Sequence, residues 1–418
     1  MEKSGKFRLT SLERNWILYD VGNSAFVLMV ATLIPIFFNA LAAAGGLSSV
    51  EYLAYWGYAS SAVTIITAIL SPILGTVADT KGFKKPIFIL CVFVGIVGCC
   101  AMGAASAWLS FLVIFVIAKV GFSGSLVFYD SMLSDVTTPE RMDEVSSRGY
   151  AWGYIGSCVP FVVCLGLVLG AGSIGISQMT ALNLALLLTA MWWLGTTLPL
   201  LKSYKQLHYV EVEKHAVRQS FARIGHTLRH LPEDKQVFWF LLAFFCYIDG
   251  VYTIIDMATA YGTALGLDTT GLLLALLVTQ IVAFPSALIF GRLSNKYPSA
   301  KLIPVCIAAY AGIAVFAFFL TQQWQFWVLA VIVGMFQGGV QALSRSHFAK
   351  IIPPEKSGEY FGLFDICGKG ASFLGTMIVS VGSQLTGSAN VGVGSLIVLF
   401  IVGFVLFRVS CKKEVVSE

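Results

Sequence analysis

Twelve stretches of about twenty or more mostly apolar residues run the length of this chain and leave it little choice of fold. They lie at about 16–42, 54–78, 86–106, 108–131, 149–171, 178–200, 237–262, 270–292, 302–321, 324–346, 359–383 and 391–409. A helix needs roughly 20 such residues to cross the hydrocarbon core of a bilayer. Barrel strands would alternate apolar and polar residues over about 10 positions, whereas these runs are continuously apolar. Only 12% of the 418 residues are charged, about half the share in a soluble domain. The expected fold is an all-α membrane protein with twelve transmembrane helices. The first stretch is too long for the apolar core of a signal peptide and holds Asp20 and Asn23, so it is expected to stay in place as the first span.

Cationic residues set the expected orientation, because basic loops stay on the cytoplasmic side. Of the 27 Lys and Arg residues, only Lys119 and Lys369 fall away from one set of loops and ends. The others occupy the N-terminal segment, the loops after spans two, four, eight and ten, the interval after span six, and the tail. Opposite loops such as 43–49, 172–177 and 383–390 carry none. Both termini are therefore expected in the cytoplasm of a multi-pass plasma (inner) membrane protein. The net charge of +5 reads as topology, and no nucleic-acid partner is expected. The nine cysteines lack paired metal-ligand spacing, so neither metal nor cofactor is expected.

The interval 202–236 is the one long polar stretch, and it divides the chain into spans one to six (1–201) and seven to twelve (237–418). An echo runs across it. Gly75-Thr-Val-Ala-Asp79-Thr-Lys-Gly82-Phe-Lys84-Lys85 follows span two, and Gly291-Arg-Leu-Ser-Asn295-Lys-Tyr-Pro298 follows span eight at a constant offset. Pro139-Glu140-Arg141 and Pro354-Glu355-Lys356 form a second echo. Two pseudo-symmetric six-helix bundles are expected, with a solute path between them. Pairs such as Gly149/Gly153, Gly166/Gly170 and Gly334/Gly338 have the spacing of close helix contacts.

The Gly75–Lys85 segment resembles the signature loop of the major facilitator superfamily. There the glycine would let spans two and eleven approach, and Asp79 would meet a helix N-terminus and nearby cations. Gly75, Asp79, Gly82, Lys84, Lys85 and Arg345 are accordingly the candidate cytoplasmic gate. Trp16-Ile-Leu-Tyr19-Asp20-Val-Gly-Asn23-Ser24, Gln341-Ala-Leu-Ser-Arg345-Ser and Glu359-Tyr-Phe-Gly362-Leu-Phe-Asp365-Ile-Cys-Gly368-Lys369 are similar to hallmarks of its vacuolar amino-acid effluxer-like family. That resemblance implies a secondary transporter for an amino acid or similar small polar solute. Tyr129-Asp130-Ser131 departs from the pattern, which has Tyr-Asn-Ala at this point.

An ionisable side chain at membrane depth costs at least ~2.5 kcal/mol, which makes each one a candidate for function. Helical spacing groups Asp249, Thr253 and Asp256 in span seven; Gln337, Gln341 and Arg345 in span ten; and Asp365, Lys369, Ser372 and Thr376 in span eleven. Lys119 and Asp130 share span four, and Asp20 and Asn23 share span one. Together Lys119, Asp249, Asp256, Asp20, Asn23, Asp130, Gln337, Gln341, Asp365 and Lys369 are the candidate solute or proton site. Three bland readings compete: Asp365 and Lys369 as a mutually neutralised i, i+4 pair, Asp20 as a helix-end contact, and Arg345 as one more positive-inside residue. The glycines around Lys369 have the wrong spacing for a phosphate loop.

The expected activity is alternating access by rocking bundles. Expected partners are a small solute, a proton or other coupling ion, and lipid; the chain is expected to be a monomer and no enzyme. The alternatives are a membrane-embedded lipid-modifying enzyme, which would cluster His or Asp at one membrane face, and a non-transporting receptor.

Overall fold

The computed structural model describes residues 7–211, 224–227 and 229–411. Lys3, Lys6, Lys214, Arg218, Arg223, Lys412 and Lys413 lie outside them, as do the side chains of Lys369 and Ser372. The described chain is helical, apart from one isolated bridge between Thr80 and Val210. Eleven helical segments among the described residues are long and apolar enough to cross a membrane.

Before residue 204 come α1 (Ser11–Ala31), α2 (Leu33–Ala44), α3 (Ser49–Ala78), α4 (Lys84–Gly103), α5 (Trp108–Ser131), the single turn α6 (Leu133–Val136), α7 (Met142–Leu169) and α8 (Gln178–Ser203). After residue 234 come α9 (Lys235–Ala264), α10 (Thr269–Leu293), α11 (Ser299–Phe318), α12 (Gln323–Ile351), α13 (Ser357–Thr386), α14 (Ala389–Gly394) and α15 (Ile397–Cys411). In the first group α1 packs on α7 and α8, and α4 packs on α5 and α8. In the second, α9 packs on α13 and α15, and α10 on α12. The groups meet chiefly along α3 with α13 and along α7 with α10 and α12.

Several helices begin earlier than hydropathy indicates, because polar turns continue the helix past the apolar window. Thr10 and Glu13 form a reciprocal capping box that starts α1 at Ser11, which sets Asp20 well inside the helix. α7 starts at Met142 rather than near 149, and α12 runs on to Ile351. The first expected span is broken at Thr32, whose backbone leaves the helical region. Pro35 accounts for the break, since it lacks the N–H that Ala31 would accept and its ring crowds that carbonyl. On the face away from the linker, Ser48 caps α3, and its N–H and hydroxyl hold the Glu51 carboxyl below its ordinary pKa.

Glycine contacts are selective. A Cβ on Gly334 or Gly338 would collide with α10 at Thr279 or Ala287, and one on Gly153 would crowd Ser24 of α1. Gly166 has nothing within 4 Å, so the close contact expected there is absent and its spacing alone misled.

Residues 204–211 fold back over the loop after α3. The Val210 N–H donates to the Asp79 carbonyl at 2.8 Å, and the Lys81 N–H to Val210 at 3.3 Å. Gln206 accepts from the Gly82 N–H at 3.0 Å. Gly82 takes φ 80°, a left-handed turn that suits glycine.

Candidate functional site

On the face that carries the linker, the loop after α3 meets the start of α13. Helix N-termini present N–H groups without intrahelical acceptors. Here Asp79 supplies them: Oδ1 accepts from the Gly358 N–H at 2.7 Å and Oδ2 from the Glu359 N–H at 2.8 Å. Lys84, fully buried, lies 3.6 Å from Asp79 and 3.8 Å from Asp135, and it donates to the Ser357 hydroxyl at 2.8 Å. Asp135 in turn accepts from the N–H groups of Leu207 and His208 and from the Tyr204 hydroxyl. Two buried carboxylates therefore share one lysine, and backbone donors offset the remaining charge. The helices can come this close because Gly75 faces Gly358: a Cβ on either would overlap the other's carbonyl, and one on Gly362 would lie 2.6 Å from Pro72. Lys85 follows in the first turn of α4, half-buried.

The second copy of the first echo, Gly291–Pro298, builds a related contact between the loop after α10 and α7. Asn295 donates to Glu144 at 2.5 Å, and Glu144 also holds Arg148 one turn on. Asparagine brings no charge of its own, so the pairing there is between Glu144 and Arg148.

Between these two contacts, Arg345 of α12 crosses into the first group of helices and is only 2% exposed. Its Nη1 lies 3.0 Å from Asp130 Oδ1 and 3.6 Å from Asp20 Oδ2. Nε donates to the Ser146 hydroxyl at 2.9 Å and Nη2 to the Ser146 carbonyl at 3.0 Å. The guanidinium carbon stands 4.3 Å from the Tyr150 ring centre, 4.7 Å from Trp16 and 5.4 Å from Tyr129. Tyr129 also donates to Asp20 at 3.0 Å, and Asn23 lies one turn along at 3.4 Å. Nearby, Ser346 donates to Asp143 at 2.6 Å, Lys350 pairs with Asp143 at 2.6 Å, and Tyr154 donates to Gln341 at 2.8 Å. Sequence reasoning missed Asp135, Asp143, Ser146, Tyr150 and Lys350. All but Tyr150 stand on polar turns beyond the apolar windows, and the run of charged residues after Pro139 signals only Asp143.

Farther from the linker face the candidates separate. Asp256 is exposed and interacts electrostatically with Lys119, which approaches the Phe122 ring at 4.7 Å. Asp249 is fully buried; it accepts from the Gly375 N–H of α13 at 2.8 Å and from Thr253 at 3.3 Å. Asp365 accepts from Ser71 at 2.7 Å, across the boundary between the groups. Gln337 is buried with no hydrogen-bond partner at its Oε1. Among the described residues no cluster of metal-ligating side chains occurs.

The fold is that of solved major facilitator transporters. The crystal structure of the human organic anion transporter MFSD10 (TETRAN) matches with a TM-score of 0.73 at 14% identity, covering 94% of this chain and 99% of that one. FucP, crystallised in the outward conformation, matches with a TM-score of 0.71 at 16% identity, over 96% and 98%. In sequence, the MFS-type transporter YxiO of Bacillus subtilis strain 168 is 42% identical over 404 residues, which is 96% of this chain and 94% of YxiO. Autophagy-related protein 22 of Coccidioides immitis is 25% identical over 314 residues, 64% of this chain and 51% of its own length. Residues 11–415 match the family described as vacuole effluxer Atg22 like, and the chain belongs to that family. Its relatives are transporters and not enzymes, and the chain is a multi-pass membrane protein with the fold of a secondary transporter.

Proposed function

We propose that this protein moves a small zwitterionic solute, an amino acid or a close analogue, by rocker-switch alternating access. In this reading twelve spans form two six-helix bundles, 1–201 and 237–418, joined by the cytoplasmic linker 202–236, with both termini in the cytoplasm and the chain in the plasma membrane as a monomer. The ties of Asp79, Lys84, Arg345 and Lys350 then close the cytoplasmic side, which leaves the solute site facing outward.

One observation carries the solute class. Lys119 of α5 and Asp256 of α9 set opposite charges on opposite bundles, and this pairing of a cation with an acid supports the class. An α-amino acid entering between them offers a carboxylate to Lys119 and an ammonium to Asp256, and so gives each charge a partner on the solute. That pairing draws the bundles together only when the solute carries both charges. Asp256, Asp365 and Asp249 are the candidate proton carriers; Asp249 meets Gly375 and Thr253 through Oδ1 alone, and its buried Oδ2 is left without a hydrogen-bond partner.

Uptake of radiolabelled amino acids, sugars and organic acids into proteoliposomes, with and without a pH gradient, tests the reading. Saturable movement of zwitterions but not of the matching amines or acids is expected. Binding without movement would make the protein a receptor, and movement of sugars or organic acids alone would overturn the solute class.

A further inference from the structure

We infer that Trp16, Asp20, Tyr129, Asp130 and Tyr150 form a pocket for a guanidinium-type organic cation, which Arg345 fills in this state and leaves when the cytoplasmic side opens. The inference rests on the alternating access proposed above. All five residues belong to α1, α5 and α7, whereas Arg345 enters from α12. The pocket is thus a property of the first bundle, and its occupant comes from the second.

The chemistry is that of guanidinium recognition. Three aromatic rings surround the guanidinium carbon at 4.3–5.4 Å, two carboxylates face one edge, and the Ser146 hydroxyl and carbonyl take the other. A planar, delocalised, weakly hydrated cation both stacks on rings and forks onto carboxylates, which a compact ammonium does not do equally well. Gly149 keeps the wall bare, since a Cβ there would stand 2.9 Å from Asp20 Oδ2 and 3.0 Å from Arg345 Nη2.

Charge makes vacancy costly. With Arg345 in place the pocket holds two carboxylates and one cation; without it, buried Asp20 and half-buried Asp130 stand close together without a cation between them. Rocking carries Arg345 away with α12, so the opened bundle draws a replacement cation from the cytoplasm. Arg345 and that cation then compete, and expelling the cation accompanies closure.

Agmatine, with n-butylamine as the control lacking a guanidine, is the probe. It is titrated into the purified full-length chain and followed by thermal shift and tryptophan fluorescence. Arg345→Ala should bind agmatine at least about tenfold more tightly than the unaltered protein, because its internal competitor is gone. Butylamine should be much weaker, and adding Asp20→Asn and Asp130→Asn should abolish the gain. An Arg345→Ala protein that responds to pH but shows no saturable agmatine binding would overturn the inference, because protons alone then fill the pocket. If Arg345→Ala does not fold, the unaltered protein in proteoliposomes still decides: agmatine on the cytoplasmic face should inhibit solute exchange, and lack of inhibition overturns the pocket. Binding is read without transport, so a protein that binds agmatine yet moves no solute refutes the transport reading and not the pocket.

Discussion

Replacing Asp79 by asparagine keeps the shape of the side chain while removing its charge and one of its two acceptor oxygens. Gly358 and Glu359 lie in the first turn of α13, where no carbonyl of their own helix can accept their N–H groups; Asp79 is their acceptor, at 2.7 and 2.8 Å. Burial lifts the Asp79 carboxyl to about 6, so at pH 7.5 it is ionised. A hydrogen bond to a charged group contributes about 1.5–3 kcal/mol and a neutral one about 1 kcal/mol. Asparagine can keep one neutral bond of the two, so the contact loses roughly 2–5 kcal/mol. At 1.4 kcal/mol per decade, that is on the order of 30- to 4000-fold in local opening. Hydrogen–deuterium exchange of the purified protein reads this directly: at least one of the two amides should exchange faster by about that factor, while interior amides of α8, remote from the contact, keep their rates. A folded Asp79→Asn protein in which Gly358 and Glu359 both keep their original protection would refute the reasoning, because something other than Asp79 would then be holding them.

Other substitutions separate packing from transport. Lys119→Ala and Asp256→Asn should each lower solute uptake by about a hundredfold or more, the worth of roughly 3 kcal/mol of binding, with thermal unfolding little changed; unaltered uptake in either removes that residue from the site. Asp249→Ala strands the Gly375 N–H and should cost about 1–3 kcal/mol of stability, read as a lower melting temperature, and an unchanged one would free Asp249 for another role. Arg141→Ala leaves Glu13, which is 1% exposed and 2.7 Å from the arginine, buried without its cation and held only by Thr10 and Thr137, and the expected loss is about 3 kcal/mol, measured by thermal unfolding. Gly75→Val forces α3 from α13, so the Gly358 and Glu359 amides should lose protection together; retention of protection would show that the helices have room to spare.

Hydropathy carried most of the fold, because lipid tolerates few alternatives to long apolar helices. The resemblance of Gly75–Lys85 to the signature loop likewise carried the close approach of α3 and α13, where only glycine suits the contact. Arg345 shows where such reading stops. Its number among the basic residues told of topology, whereas its three-ring surroundings come from helices far apart in sequence. Asp249 and Asp256 make the same point. At i and i+7 they share a helix face, yet two turns of depth put one against the backbone of α13 and leave the other exposed. A helical wheel has no depth, and depth decides what each carboxylate does.

The bare meeting of Gly75 with Gly358, and of Gly362 with Pro72, bears on leakage. A proton crosses a protein most easily along an unbroken file of waters, and side-chain packing at a mobile seam leaves gaps that admit one. Backbone set against backbone, with the Gly358 and Glu359 N–H groups already taken by Asp79, narrows the room for such a file. In the alternating access proposed above, such a seam would open and close without short-circuiting an ion gradient.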